Sequence, residues 1–123
     1  MKHQEGFLKL VNDAKSRIRE MTVDEYRKLS AGNQSVHLVD VREDSEWAAG
    51  HAAGAIHLGK GIIERDIETT IPRHDATIVL YCGGGYRSAL AADALTKMGY
   101  EHVISLDGGW RAWNEAGLPV AKG

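Results

Sequence analysis

The 123-residue chain has little of several features that would place it in a specialised class of protein. A single cysteine excludes a disulfide within the chain, and with it the stapled scaffolds of small secreted proteins. No apolar run approaches the roughly 20 residues of a membrane-spanning helix. The formal charge of −2, with no basic block, argues against a nucleic-acid-binding surface. We therefore expect a cytoplasmic protein whose partners include no membrane and no nucleic acid.

The sequence also lacks the patterns that hold metals and cofactors. Its six histidines are scattered, and no helix carries two of them at the spacing of a metal site. The lone cysteine has no second thiol with which to resolve a covalent adduct. We therefore expect no metal and no cofactor, and any group that the cysteine picks up must pass to an external acceptor.

What the chain does contain is an alternation of short apolar segments with amphipathic ones. The apolar segments predict strands at residues 36–39, 55–58, 77–81 and 103–106. Helical periodicity and capping signals predict helices at residues 7–18, 22–32, 43–49, 61–69, 89–98 and 109–116. Apolar strands that alternate with helices are typical of the α/β class, in which helices cover both faces of a parallel sheet.

The most informative segment follows the third predicted strand. It reads Cys82, Gly83, Gly84, Gly85, Tyr86, Arg87 and Ser88. The glycines allow successive backbone N–H groups to converge on one point, and the start of the next helix adds its own unpaired N–H groups. Arg87 adds a permanent cation and Ser88 a hydroxyl donor. Such surroundings favour a reactive thiolate, whereas a structural cysteine at the end of a buried strand needs none of them.

A second segment is expected to meet this loop. Ligands of parallel sheets bind beyond the carboxyl ends of the strands. Cys82 lies at that end of the third predicted strand, and Asp40 and Arg42 lie at that end of the first. The topology therefore predicts one site to which both segments contribute.

Several ordered motifs resemble the rhodanese family. They are residues 40–43, 46–47, 49–51 and 54–58 in its first half, residues 81–88, 91–92 and 95 in its active-site loop and helix, and residues 106–110 with Trp113 at its close. The resemblance implies a rhodanese-like fold, a five-stranded parallel sheet flanked by helices on both faces. It implies a single domain over residues 21–123, preceded by an N-terminal amphipathic helix extension at residues 1–20.

The same resemblance implies sulfurtransferase chemistry through a persulfide on Cys82. The donor would be thiosulfate, glutathione persulfide or polysulfide, and the acceptor cyanide, a cellular thiol or a protein thiol. Glycines stand where some thiosulfate-using relatives place Arg or Lys in this loop. A preference for thiosulfate is therefore not implied.

The resemblance also suggests roles for the loop residues. The amides of residues 83–88 would hold the outer sulfur, and the side chains of Tyr86 and Ser88 are candidates to contact the substrate. Arg87 would either attract an anionic donor or brace the loop through a carboxylate such as Asp40.

Asp40 and Arg42 have two readings that the sequence leaves open. They are candidate substrate-binding residues, because they end a strand at the expected site. The alternative is a structural role, in which Arg42 pairs with Glu46.

Two other functions compete with sulfur transfer. One is a non-catalytic rhodanese-type module that carries sulfur or docks a partner. The other is a small phosphatase or arsenate reductase, but those enzymes have five residues between cysteine and arginine, and this loop has four. A shorter ring of amides suits a single sulfur better than a tetrahedral oxyanion.

The chain would be a monomer or a homodimer, since Phe7, Leu10 and Ile18 could pack on the domain or on a second copy.

Overall fold

A computed structural model describes residues 3–32 and 35–122 of the chain. The helices are α1 (Glu5–Lys15), α2 (Val23–Gly32), α3 (Asp44–Ala49), α4 (Ile63–Thr70), α5 (Tyr86–Lys97) and α6 (Gly109–Glu115). The strands are β1 (Arg19–Met21), β2 (His37–Asp40), β3 (His51–Ala52), β4 (Ile56–His57), β5 (Thr77–Tyr81), β6 (His102–Leu106) and β7 (Val120–Ala121). Within the described residues, no helix has the length and apolar character needed to cross a bilayer.

Five of the strands form one parallel sheet in the order β1, β6, β5, β2, β4. The central position of β5 explains its composition, because a strand with a neighbour on each edge and a helix layer on each face is buried throughout. Strands β3 and β7 pair antiparallel as a separate ribbon. The carboxyl ends of β2 and β5 therefore lie side by side.

Side chains along β5 alternate between two apolar cores. Ile78, Leu80 and then Cys82 enter the core beneath α4 and α5, whereas Val79 and Tyr81 enter the core that includes residues of α2 and α6. This two-residue period follows from the pleat of the strand. It places the Cys82 thiol on the α5 side of the sheet.

The predicted fold class is confirmed, with five parallel strands and helices on both faces. Strand β5 occupies the predicted residues 77–81, while α5 begins at Tyr86, earlier than the predicted start at residue 89. Strand β1 is not predicted from the sequence, because two of its three side chains are exposed and form no apolar run. Its residues 19–21 lie across the predicted domain boundary at residue 20, and that boundary stays a prediction.

Helix α1 packs along α5. Val11 and Ala14 carry its apolar stripe into the interior, where they are 0% and 2% exposed, whereas Leu10 remains 57% exposed. Just after the helix, Arg17 donates hydrogen bonds of 3.1 and 2.8 Å to the Asp93 carboxylate on α5. These bonds, above all, lower the pKa of Asp93. The amphipathic stripe of α1 is thus used, at least in part, within the domain.

A buried polar network joins β2, β5 and β3. Asp40 accepts hydrogen bonds from the Arg42 guanidinium at 2.8 and 3.1 Å and from the Tyr81 hydroxyl at 2.7 Å. The Tyr81 hydroxyl in turn accepts the Ala52 N–H, and Arg42 donates to the Gly50 carbonyl. Burial lowers the pKa of Arg42, but the hydrogen bonds and charge of Asp40 outweigh it, so the net direction is upward. Each charge in the network is therefore compensated.

Replacing one member of this network should destabilise the fold strongly. Arg42→Met leaves the Asp40 carboxylate, which is 0% exposed, without its cation. Removing one partner of a buried pair costs about 3 kcal/mol or more, so we expect a loss of that size in the free energy of unfolding, measured in urea. The matched control is Arg73→Met, which breaks the exposed pair of Arg73 with Asp75 and should cost well under about 1 kcal/mol. Equal losses in the two variants would contradict the assignment.

Candidate active site

Cys82 directly follows β5 at the carboxyl edge of the sheet and begins the loop into α5. The residue is only 1% exposed, yet it borders a pocket of about 920 Å³. The backbone N–H groups of Gly85 and Ser88 point at its Sγ, with nitrogen–sulfur distances of 3.2 and 3.4 Å. These donors, together with the start of α5, stabilise negative charge on the sulfur.

Two glycines of the loop lie where a Cβ would be crowded, and one of them also has a left-handed backbone. Gly85 caps α5 in the left-handed region, with φ of 100°, and a Cβ there would lie 3.3 Å from the Gly108 nitrogen. A Cβ on Gly83 would lie 3.2 Å from Nη2 of Arg87. The close return of the chain around the sulfur therefore depends on the missing side chains.

Helix α6, which comes later in the chain, also holds the loop. The Trp110 N–H donates to the Cys82 carbonyl at 2.7 Å, and the Arg111 N–H donates to the Gly83 carbonyl at 3.2 Å. Gly109, with φ of 48°, lies so close that a Cβ would clash with the Cys82 carbonyl oxygen. The first turn of α6 thus fixes the backbone on which the thiol is carried.

A chain of two buried hydroxyls ends at the sulfur. Ser88 Oγ lies 3.5 Å from Sγ and 2.8 Å from Ser105 Oγ, and both serines are 0% exposed. When the sulfur is a thiolate, Ser88 must donate to it, so Ser105 donates to Ser88. Ser105 was missed in the sequence, where a single serine in the apolar strand β6 belongs to no motif. Its only signal is a polar residue at a position expected to be buried.

Arg87 braces the loop through Glu46 of α3. Its Nη1 and Nη2 donate to the two carboxylate oxygens at 2.8 and 3.2 Å. The bonds from Arg87 lower the pKa of Glu46, and the bonds to Glu46 raise the pKa of Arg87. The expectation of a bracing carboxylate at Asp40 is wrong, and so is the pairing of Arg42 with Glu46. Asp40 is already saturated by Arg42 and Tyr81 in the interior.

The structure brings together most of the predicted site residues. Cys82, Gly83, Gly84, Tyr86 and Arg87 line the pocket, while Gly85 and Ser88 contact the sulfur. Asp40 and Arg42 are not among the lining residues; their side chains bond to each other and to the surrounding fold. The carboxyl ends of β2 and β5 do meet, but β2 contributes a support for the site rather than a wall of it.

Other lining residues come from elements that carried no functional signal in the sequence. His3 and Phe7 extend from α1 to Tyr86, with ring centroids 4.4 and 6.3 Å away respectively. Glu46 enters from α3 and Arg111 from α6. No local pattern shows that the first turn of α1 covers the loop. Within residues 3–32 and 35–122, no three side chains of the metal-ligating types form a cluster.

Comparison with known proteins identifies the family. The model of the rhodanese-like domain matches residues 22–116, most of the chain. The chain belongs to the rhodanese-like domain family. This rhodanese is 34% identical over 87 residues to the thiosulfate sulfurtransferase GlpE of Vibrio cholerae, covering 71% of this chain and 80% of GlpE. This chain is therefore a rhodanese-type sulfurtransferase.

Two solved structures share this rhodanese fold over almost its whole length. A Rhodopseudomonas palustris protein of unknown function, described as a possible tyrosine phosphatase, is 30% identical, with a TM-score of 0.85 and 98% of each chain covered. The homodimeric polysulfide-sulfur transferase of Wolinella succinogenes is 26% identical, with a TM-score of 0.80 and coverage of 96% of this chain and 88% of the other. Both matches extend beyond the residues of the family model.

The hydroxyl chain of the rhodanese site predicts non-additive effects. Ser88→Ala and Ser105→Ala should each slow alkylation of Cys82 by iodoacetamide. The first variant removes the hydroxyl that donates to the thiolate, and the second removes the hydroxyl that orients it. Ser105 acts only through Ser88, so the double variant should react at the rate of Ser88→Ala alone. Rate constants measured at one pH test this directly. Multiplying effects would show that Ser105 acts by another route.

The Glu46–Arg87 pair predicts an effect on both turnover and acid stability. Glu46→Gln removes the charge that holds Arg87, and kcat/KM for sulfur transfer should fall about fivefold for this half-exposed pair. Because the folded state lowers the pKa of Glu46, its stabilising effect is present above the ordinary glutamate range and lost as the pH falls through the lowered value.

Urea unfolding at neutral and acidic pH tests the second part. The stability gap between wild type and Glu46→Gln should be present at neutral pH and close in acid. Glu64→Gln on α4, which is exposed, is the matched control and should show no gap at either pH. A gap that widens in acid would mean that the carboxylate is not the stabilising form.

Proposed function

We propose that this rhodanese moves a sulfane sulfur from a small donor to a thiophilic acceptor through a persulfide on Cys82. The observation that carries the proposal is the environment of Sγ, which borders the pocket and receives two backbone N–H donors. A persulfide places its negative charge on the outer sulfur, one bond further into the pocket. The N-terminal end of α5, into which the loop leads, favours negative charge near this position, and Arg87 lines the pocket with its guanidinium held by Glu46.

The proposed reaction has two balanced steps. The Cys82 thiolate attacks the outer sulfur of thiosulfate, the sulfur–sulfur bond of the donor breaks, and sulfite leaves with the bonding electrons. The product is Cys82–S–S⁻. Cyanide then attacks the outer sulfur, the new sulfur–sulfur bond breaks, and thiocyanate and the Cys82 thiolate result. Such a scheme is ping-pong, because the first product leaves before the second substrate reacts.

The proposal extends to other partners of the same chemistry. The thiosulfate sulfurtransferase and polysulfide-sulfur transferase relatives support sulfane-sulfur donors as a class, including glutathione persulfide and polysulfide. The single cysteine means that the outer sulfur must pass to an external acceptor, such as cyanide or the thiol of a small molecule or of a protein. A free thiol of this kind suits a reducing compartment, and we place the protein in the cytoplasm.

Loop length argues against a phosphatase role. Four residues separate Cys82 from Arg87, one fewer than in those enzymes. The Arg87 guanidinium is also bonded to Glu46 of α3. The description of the Rhodopseudomonas palustris structure makes this alternative worth an arm of the experiment. A carrier or docking module remains the other alternative, and it would load sulfur without turning over with small acceptors.

The test is intact-mass spectrometry after incubation with thiosulfate or glutathione persulfide, followed by cyanide. We expect a gain of about 32 Da, the mass of one sulfur, and its loss to cyanide with an equal yield of thiocyanate. Cys82→Ser should show neither and should keep its unfolding transition.

Two results would overturn the proposal. If the Cys82 thiol of the folded protein stays free after both donors, the non-catalytic docking module becomes the favoured function. Hydrolysis of p-nitrophenyl phosphate that Cys82→Ser abolishes would favour the phosphatase.

A further inference from the structure

The pocket over Cys82 is much larger than an inorganic sulfur donor requires. Its volume of about 920 Å³ falls at the upper end of the roughly 300–1,000 Å³ typical of sites for organic ligands. Thiosulfate and cyanide would fill only the space next to the sulfur. The remaining volume needs an explanation from the residues that line it.

One part of that lining is an aromatic wall formed by His3, Phe7 and Tyr86. The His3 ring lies 5.2 Å from Phe7 and 4.4 Å from Tyr86, centroid to centroid. Phe7 belongs to α1, His3 to the extended segment that precedes this helix, and Tyr86 to the start of α5. Phe7 and Tyr86 are only partly buried and both line the pocket, so each offers apolar surface to a ligand there.

The second part of the lining is Arg111 of α6. Its backbone N–H is fixed on the Gly83 carbonyl, which holds the residue beside the loop. Among the described residues its side chain has no hydrogen-bond or ion-pair partner, whereas Arg87 is neutralised by Glu46. Arg111 is therefore an uncompensated positive charge in the lining, and a guanidinium binds carboxylates through two parallel hydrogen bonds.

We infer that Phe7, Tyr86 and Arg111 form a subsite for the organic part of the acceptor, a small thiol that carries a carboxylate on an apolar body. This inference rests on the proposed function, because the subsite would present the thiol to the persulfide of Cys82. The acceptor R–SH attacks the outer sulfur of Cys82–S–S⁻, and the bond between that sulfur and Sγ breaks. The thiol proton moves to the transferred sulfur and the electrons of the broken bond stay on Sγ, so the products are R–S–SH and the Cys82 thiolate.

Three thiols of graded structure separate the two contributions. They are 4-(mercaptomethyl)benzoate, with ring and carboxylate, phenylmethanethiol, with the ring alone, and 2-mercaptoethanol, with neither. Protein loaded from thiosulfate is mixed with each thiol, and the second-order rate constant for loss of the added sulfur is measured by mass. We expect the rate constants to fall in the order given.

The variants should change ratios of these rate constants rather than a single rate. Arg111→Gln should lower the preference for the carboxylate thiol over phenylmethanethiol about fivefold, and Arg111→Lys should restore part of it. The substitution keeps the backbone bond to Gly83. Phe7→Ala should lower the preference for phenylmethanethiol over 2-mercaptoethanol about threefold, and Phe7→Leu should lower it less.

Matched controls come from the same elements or residue types. Leu10→Ala removes a side chain of α1 that is 57% exposed and outside the pocket lining. Arg27→Gln removes an exposed arginine of α2, also outside that lining. Both should leave every ratio unchanged.

The outcomes separate the two proposals. No added sulfur on the wild-type protein, after thiosulfate and after glutathione persulfide, would overturn the proposed function itself. Normal loading with ratios that Arg111→Gln and Phe7→Ala leave unchanged would overturn only the subsite. Equal rate constants for the three thiols on the wild type would overturn it as well, and would leave a macromolecular thiol as the occupant of the pocket.

Discussion

The position of the Cys82 sulfur depends on how α6 holds the backbone of that residue. The N–H groups of Trp110 and Arg111 bond the carbonyls of Cys82 and Gly83, so those carbonyls are turned toward α6. This approach is possible only because Gly109 has no Cβ to clash with the Cys82 carbonyl. A loop whose carbonyls are held outward is free to present its N–H groups to the sulfur, which is what an anion site requires.

The buried network around Asp40 explains why the neighbouring strand supports the site without entering it. Tyr81, the residue before Cys82, donates to the Asp40 carboxylate and so ties the end of β5 to the end of β2. Arg42 completes the network and carries a bond to Gly50, after α3. Helix α3 is thereby placed to offer Glu46 to Arg87. The buried ion pair of Asp40 and Arg42 thus helps to position the Glu46–Arg87 pair at the pocket, although neither Asp40 nor Arg42 lines that pocket.

How far the sequence predicts this site follows from the range of the interactions involved. The loop from Cys82 to Ser88 is recognisable because its residues are adjacent and each has a local physical role. The partner of Arg87 was not predictable in the same way, since Asp40 and Glu46 are both carboxylates near one strand end. The buried ion pair of Arg42 with Asp40 decides between them, because it leaves Glu46 as the partner of Arg87. Strand β1 was missed for a similar reason, because it is defined by its pairing with β6 rather than by its own composition.

Helix α1 has a role that its sequence pattern does not reveal. Periodicity showed a helix with one apolar stripe, and Val11 and Ala14 use that stripe to pack on the domain. The anchoring of α1 by Arg17 and Asp93 fixes its register along α5. A helix held in that register has to extend its first turn toward the start of α5, where Tyr86 borders the pocket. The ion pair just after α1 and the buried Val11 and Ala14 therefore help to place Phe7 of this helix in the pocket lining.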